Sequence, residues 1–292
     1  MDRTPLLAGL TLILALGGCS SKPRPVSVGS KNFTEQVVLG EIIAQHLERQ
    51  LHQPVERRLN LGGTLLAHQS IVKGEIDLFP EYTGTALTAV LKQPAETSPE
   101  VVLQHVREEY LRRFGIEWLA PLGIDNTFAM VIRGADARAQ HLETLSDAAK
   151  AAKPWALGIG YEFEQRPDGL PALESAYPLK WQGSPKTMDL GLLYQALGQD
   201  QIGMAAGNAT DGLLSKLDLK VLADDRHAFP PYQVCIEARE DRLRDVPGLR
   251  AALDQLSGKF NNRTMQNLNY QVDGLHQPVA KVATDFLNAS GL

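Results

Sequence analysis

Between Pro25 and Phe79 the sequence switches repeatedly between a strand-like apolar run and a helical apolar period. Pro25 to Val28 ends in Gly29-Ser30, after which Val37, Val38, Ile42, Ile43 and Leu47 recur at the spacing of one helix face. Val55 to Leu59 forms a second strand signal, Gly62-Gly63-Thr64 turns into a second helix, and Gly74 stops that helix before a third strand, Ile76 to Phe79. Such a β-α-β-α-β order predicts a mainly parallel sheet with helices on both faces. Ligands bind such sheets in the crevice at the carboxyl ends of the strands. Asn32 and Glu35 are spaced as a capping pair at the start of the first helix.

Further on, Leu103 to Phe114 has a helical period, Asn126 to Ile132 reads as a strand, and a second alternating series runs from about Trp155 to Leu222. Phe229 to Glu237 is strand-like, and helical patterns cover 246–256, 264–270 and 279–287. A chain of 292 residues that is 43% hydrophobic can bury one or two cores, and the two series favour two lobes. A formal charge of -5 without a basic run argues against nucleic acid as a partner.

At the amino end, Arg3 precedes an apolar stretch from Leu6 to Leu16. That is the length of a secretory signal, since a membrane-spanning helix needs roughly 20 apolar residues. The stretch ends Leu16-Gly17-Gly18-Cys19-Ser20, which resembles the lipobox of bacterial lipoproteins. The resemblance implies a signal peptide over 1–18, acylation of Cys19 and a polar tether over 19–25. Cys235 is the only other cysteine, so no disulfide is expected, and its context predicts a buried strand residue.

Five segments carry a wider resemblance: Val28-Gly29-Ser30-Lys31-Asn32-Phe33-Thr34-Glu35-Gln36, Ile76-Asp77-Leu78-Phe79-Pro80-Glu81-Tyr82-Thr83-Gly84-Thr85, Asp125-Asn126-Thr127-Phe128-Ala129-Met130, Ala209-Thr210-Asp211-Gly212, and Asp224-Asp225-Arg226-His227-Ala228-Phe229-Pro230-Pro231-Tyr232. In this order and spacing the chain resembles the glycine betaine, choline and carnitine binding proteins of osmoprotectant ABC importers. The resemblance implies the type II periplasmic-binding-protein fold, an α/β architecture of two lobes joined by two crossing strands that close on a ligand. It places lobe I at 26–129 plus 233–292 and lobe II at 130–232. It also implies a protein held by its lipid at the periplasmic face of the membrane, working with ABC permease and ATPase subunits that carry out translocation.

A trimethylammonium head is a cation without a hydrogen-bond donor, so aromatic faces suit it, each contributing about 0.5–2 kcal/mol when water is excluded. Carried over by position, Tyr82 and Tyr232 fall on the family's cage tyrosines, and Thr85 and Asn126 on its polar ligand contacts. Phe128 stands where tyrosine is common, keeping a ring without a hydroxyl. Tyr110, Tyr161 and Tyr194 compete for the remaining cage positions. Ser30, Lys31, Asn32 and Thr64 in first-lobe loops, and Thr210 and Asp211 in a second-lobe loop, are further candidates. Lys31 reads equally as a solvated loop charge, and Asp211 reads first as a helix cap.

The rival reading is an enzyme. The seven histidines show no metal-ligand spacing with one another, Gly62-Gly63-Thr64 lacks the lysine of a phosphate-binding loop, and no G-x-S-x-G elbow occurs. The expectation is therefore a binding protein for a small quaternary amine, without catalytic residues, cofactor or metal. The nearer alternatives are a binding protein or sensor for another small cation or an amino acid.

Overall fold

The computed structural model describes residues 24–292. The signal, Cys19 and most of the tether lie outside them. Ten strands form two five-stranded sheets. β1 (Ser27–Gly29), β2 (Glu56–Arg58), β3 (Leu78–Tyr82), β4 (Ile116–Trp118) and β10 (Val234–Arg239) make the first, in the order β2-β1-β3-β10-β4. β5 (Phe128–Arg133), β6 (Leu157–Ile159), β7 (Lys186–Thr187), β8 (Met204–Asn208) and β9 (Leu219–Val221) make the second, in the order β7-β6-β8-β5-β9. Each sheet has three parallel strands followed by one that runs antiparallel to both its neighbours, β10 in the first and β5 in the second.

Those two antiparallel strands are the ones that enter from the other lobe. The crossings run side by side, bridged at Asp125 and Gln233. Asn126 N donates to the Tyr232 carbonyl at 3.1 Å and Val234 N to the Ile124 carbonyl at 3.0 Å. Chain exchange thus occurs at 125–127 and 231–233. Phe128 and Ala129 pair with Asn208 and Gly207 in the second sheet. The strand read over Phe229 to Glu237 shortens at its start, because Phe229 to Gln233 leads through the crossing and only Val234 onward joins β10.

Helix Thr34–Leu51 buries Val38, Ile42, Ile43 and Leu47 of the stripe read from the sequence, with Leu39 added and Val37 only partly covered, into the core of the first lobe. Its cap position is Phe33, which makes no side-chain cap bond, so the expected Asn32–Glu35 pair does not form. Glu35 is turned elsewhere. Cys235 is buried on β10, and burial pushes its thiol up to about 12. Among the described residues no helix is long and apolar enough to cross a membrane.

Candidate functional site

A cleft of about 850 Å³ lies between the lobes, and Tyr82, Thr85, Asn126 and Tyr232 all line it. β3 ends on Tyr82 and runs straight into the helical turn Thr83–Thr85, so the ring and the threonine hydroxyl stand together at the strand's carboxyl end. Gly84 is required between them. A Cβ there would lie 2.6 Å from the Pro231 carbonyl and 2.9 Å from the Tyr232 ring, so only glycine lets the second crossing lie this close.

Both tyrosine hydroxyls are engaged. Tyr82 Oη donates to Glu35 Oε1 at 2.7 Å, and Tyr232 Oη to Asp168 Oδ2 at 2.6 Å. Asp168 also takes two bonds from Arg166, at 2.9 Å from Nε and 2.6 Å from Nη2. Burial pushes the Asp168 carboxyl up, but the Arg166 fork and the tyrosine hydroxyl outweigh it and leave the group below the ordinary range. Arg166 reaches across the cleft to Thr85 Oγ1 at 3.0 Å, and its guanidinium stands 5.3 Å from the Phe128 ring centre and 5.9 Å from that of Tyr232. Phe128 in turn meets Phe163, Phe229 and Tyr232 edge-on at 4.9, 5.5 and 5.4 Å.

Lys31 is buried rather than a solvated loop charge. Its Nζ donates to Glu81 at 2.6 Å and to Thr64 Oγ1 at 3.2 Å, and sits 4.8 Å from the Tyr82 ring centre. Phe33 lies on the cleft with its ring near-parallel to Tyr82, centroids 6.2 Å apart. Aromatic faces and two cations therefore share one cleft.

Of the remaining sequence candidates, Asn32, Tyr161, Tyr194 and Asp211 also line the cleft, Tyr161 with 61% of its surface exposed. Asp211 occupies the cap position of the turn Gly212–Ser215 but makes no side-chain cap bond. It accepts instead from Tyr194 Oη at 2.5 Å and Asn208 N at 2.8 Å, and burial pushes it up to about 6. Ser30, Thr64 and Thr210 stand behind the cleft wall. Ser30 accepts from Asn60 N and donates to the Lys31 carbonyl, fixing the loop. Thr64 N and Oγ1 both donate to Glu162 of the opposite lobe, at 2.6 and 3.1 Å. Thr210 Oγ1 donates to Glu35. Tyr110 is placed elsewhere, buried in the first-lobe core and packed edge-on against His68, Phe114 and Trp118.

The sequence reading did not single out Glu35, Phe33, Glu162, Phe163, Arg166 and Asp168 as site residues. Glu35 and Phe33 sat inside a quoted motif, whereas Arg166-Pro167-Asp168-Gly169 looks like any charged surface turn until its ion pair is seen to face inward. Among the described residues no cluster of three His, Cys, Asp or Glu is placed to hold a metal.

Residues 24–289 match the family model described as the substrate-binding domain of ABC-type glycine betaine transport systems. An ergothioneine transport permease/binding protein of Helicobacter pylori is 36% identical over 92% of this chain, which spans 48% of that larger protein. The carnitine transport binding protein of Listeria monocytogenes is 32% identical over 95% of this chain and 92% of its own length. A crystal structure titled as a glycine betaine/carnitine/choline ABC transporter superposes with a TM-score of 0.78 at 30% identity, covering 91% of this chain and 98% of the other. The chain belongs to the family of substrate-binding domains of ABC-type glycine betaine transport systems.

Proposed function

We propose that the chain captures a small zwitterion carrying a trimethylammonium head and a carboxylate, and delivers it to the permease and ATPase subunits of an ABC importer. The observation that carries this reading is the pairing, in one interlobe cleft, of ring faces on Phe33, Tyr82, Phe128 and Tyr232 with the buried cations Lys31 and Arg166. The ring faces turned away from those two cations take the ammonium, where attraction to the ring quadrupole needs no donor. Arg166, Lys31 and Thr85 take the carboxylate. Arg166 Nη1 is left with a 3.8 Å ion pair to Glu162 and no tighter partner on its own lobe, so its hydrogens point to an incoming anion. The relatives named for ergothioneine and carnitine, with a glycine-betaine-binding protein of Pseudomonas aeruginosa that is 31% identical over 89% of this chain, support this class, since all three compounds are trimethylammonium carboxylates.

Calorimetric titration with glycine betaine, carnitine, ergothioneine and choline tests the two-ended reading. Choline has the cation and no carboxylate. Arg166→Met should weaken the three carboxylates roughly tenfold to a hundredfold, the range expected when a charge-assisted bond is lost, and change choline little. Equal losses for choline and the carboxylates would show that Arg166 does not read the anionic end.

We further propose that Cys19 carries a lipid after removal of 1–18, holding the domain at the periplasmic face of a membrane, from the Leu16-Gly17-Gly18-Cys19 ending of the apolar run. Cys19→Ser should move the protein from the membrane fraction to the soluble one, and unchanged fractionation would reject the anchor.

A further inference from the structure

Glu35 is 3% exposed, lines the cleft and has no cationic partner, which is an unusual state for a carboxylate. It lies in the first turn of helix Thr34–Leu51, where the dipole favours negative charge. Its bonds go to four side chains. Oε1 accepts from Tyr82 Oη at 2.7 Å and Asn126 Nδ2 at 2.9 Å; Oε2 accepts from Thr210 Oγ1 and, at 3.4 Å, from Asn269 Nδ2. A carboxylate has about four lone-pair sites, so these donors occupy all of them. They come from β3, the first crossing, the second lobe and the helix Asn262–Asp273, so the set is complete only when the lobes are together. Burial still pushes the carboxyl above the ordinary range, because neutral donors do not supply a counter-charge.

From this geometry we propose that Glu35 is a specificity-determining residue of the ligand site, a sealed counter-ion that offers a cation its charge but no hydrogen-bond acceptor. The inference rests on the quaternary-amine reading above and adds a mechanism of selection to it. A trimethylammonium head has no N–H, so it gains the field of Glu35 and loses nothing when it finds every lone pair taken. A protonated tertiary, secondary or primary amine must leave an N–H without a partner in a dehydrated cleft, and an unmade bond of that kind is costly. Aromatic faces attract any cation. The sealed carboxylate is what separates the quaternary head from the rest.

The test compares glycine betaine with dimethylglycine, which has the same carboxylate and a single methyl replaced by a proton. Glu35→Gln removes the charge at constant shape, and should weaken glycine betaine about tenfold or more, as expected for loss of a unit charge a few ångströms away at a protein-like dielectric. Tyr82→Phe keeps the charge of Glu35 and the ring and strips away one donor that lines the cleft. The lone pair exposed on Glu35 should then accept the dimethylglycine N–H, narrowing the preference for glycine betaine severalfold, a change in selectivity that a purely structural role would not produce. A folded Glu35→Gln protein that binds glycine betaine as the parent does would overturn the inference. If that variant does not fold, a Tyr82→Phe protein with the parent's selectivity overturns it. A parent protein that binds no quaternary amine would instead refute the ligand class itself.

Discussion

Buried carboxyls in and behind the cleft resolve the same conflict differently, according to which partner each strand or turn supplies. Asp168 has a bidentate arginine and stays below its ordinary range. Glu81 has Lys31 at 2.6 Å, yet burial outweighs that pairing and holds it above. Glu237 has neither. It faces Trp118 on β4 and Phe79 on β3, lies diagonally across from Glu81, and neither of its oxygens has a hydrogen-bond partner among the described residues. Burial, with Glu81 adding to it and Lys31 partly opposing, pushes Glu237 well above the ordinary 4.5. The sign follows from linkage: the folded state binds this proton more tightly than the unfolded chain, so its contribution is fully present below pH 4.5 and is lost as pH rises towards the folded value. Over that window the loss approaches about 1.4 kcal/mol per pH unit. Glu237→Gln, an isostere of the protonated form, should therefore match the parent near pH 4.5 and become progressively more stable than it as pH rises above that value. Urea unfolding of both proteins across this range checks it; a difference that does not grow with pH would mean that Glu237 is not protonated in the fold.

At the scale of elements, periodicity located the helices Thr34–Leu51, Thr64–Val72, Pro99–Phe114, Asn262–Asp273 and Val279–Ser290 and strands β1 to β3 and β5, because each buries a stripe that shows as a period in the sequence, but it left β4 unmarked and the second lobe from about Trp155 to Leu222 as one undivided alternating series. The stripe of helix Thr34–Leu51 and the burial of Cys235 on β10 are such cases. The crossings were legible only to within a few residues. Phe229 to Gln233 has strand-like composition, but its partner is the other crossing and not a sheet, and the partner of a segment is a tertiary fact. The same limit explains the site. Tyr82, Thr85, Asn126 and Tyr232, which line the cleft, could be picked out because they lie at ends of elements inside recognisable motifs. Arg166 and Asp168 were missed because nothing in a charged turn says whether its ion pair faces water or a ring. Tyr110 misled for the converse reason: a tyrosine on an amphipathic helix has the same spacing whether its ring meets the cleft or, as here, the packed face over β4 and β10.

On the scale of the molecule, the described residues form two similarly ordered sheets that exchange one strand each, so among them the paired crossings are the only covalent links between lobes, and the angle between lobes is set by contacts across the cleft. The chain alone forms several, among them Gln266 Nε2 to the Ala209 carbonyl at 2.8 Å and Asn269 Nδ2 to the Thr210 carbonyl at 2.9 Å. Glu162 also accepts from the amino end of helix Thr64–Val72, Arg166 donates to Thr85, and Thr210 donates to Glu35. The Glu162 contact is the most exposed of these last three and lies on a helix end whose dipole favours an anion. It holds the lobes together without itself forming the aromatic wall. A ligand touching both lobes adds to these contacts only when they are closed, so it shifts an existing equilibrium by its differential affinity for the closed form. Removing Glu162 should move that equilibrium towards the open form before ligand arrives. In small-angle scattering, Glu162→Ala should then have a larger ligand-free radius of gyration than the parent and the same radius once saturated with glycine betaine. Its apparent affinity should fall by the factor by which the closed population falls, because that fraction multiplies the intrinsic affinity. A ligand-free variant that scatters like the parent would show that the remaining contacts set the lobe angle without Glu162. Tighter binding by the variant would show that the Glu162 carboxylate competes with the ligand's own for the cations of the cleft, since Arg166 lies 3.8 Å from it.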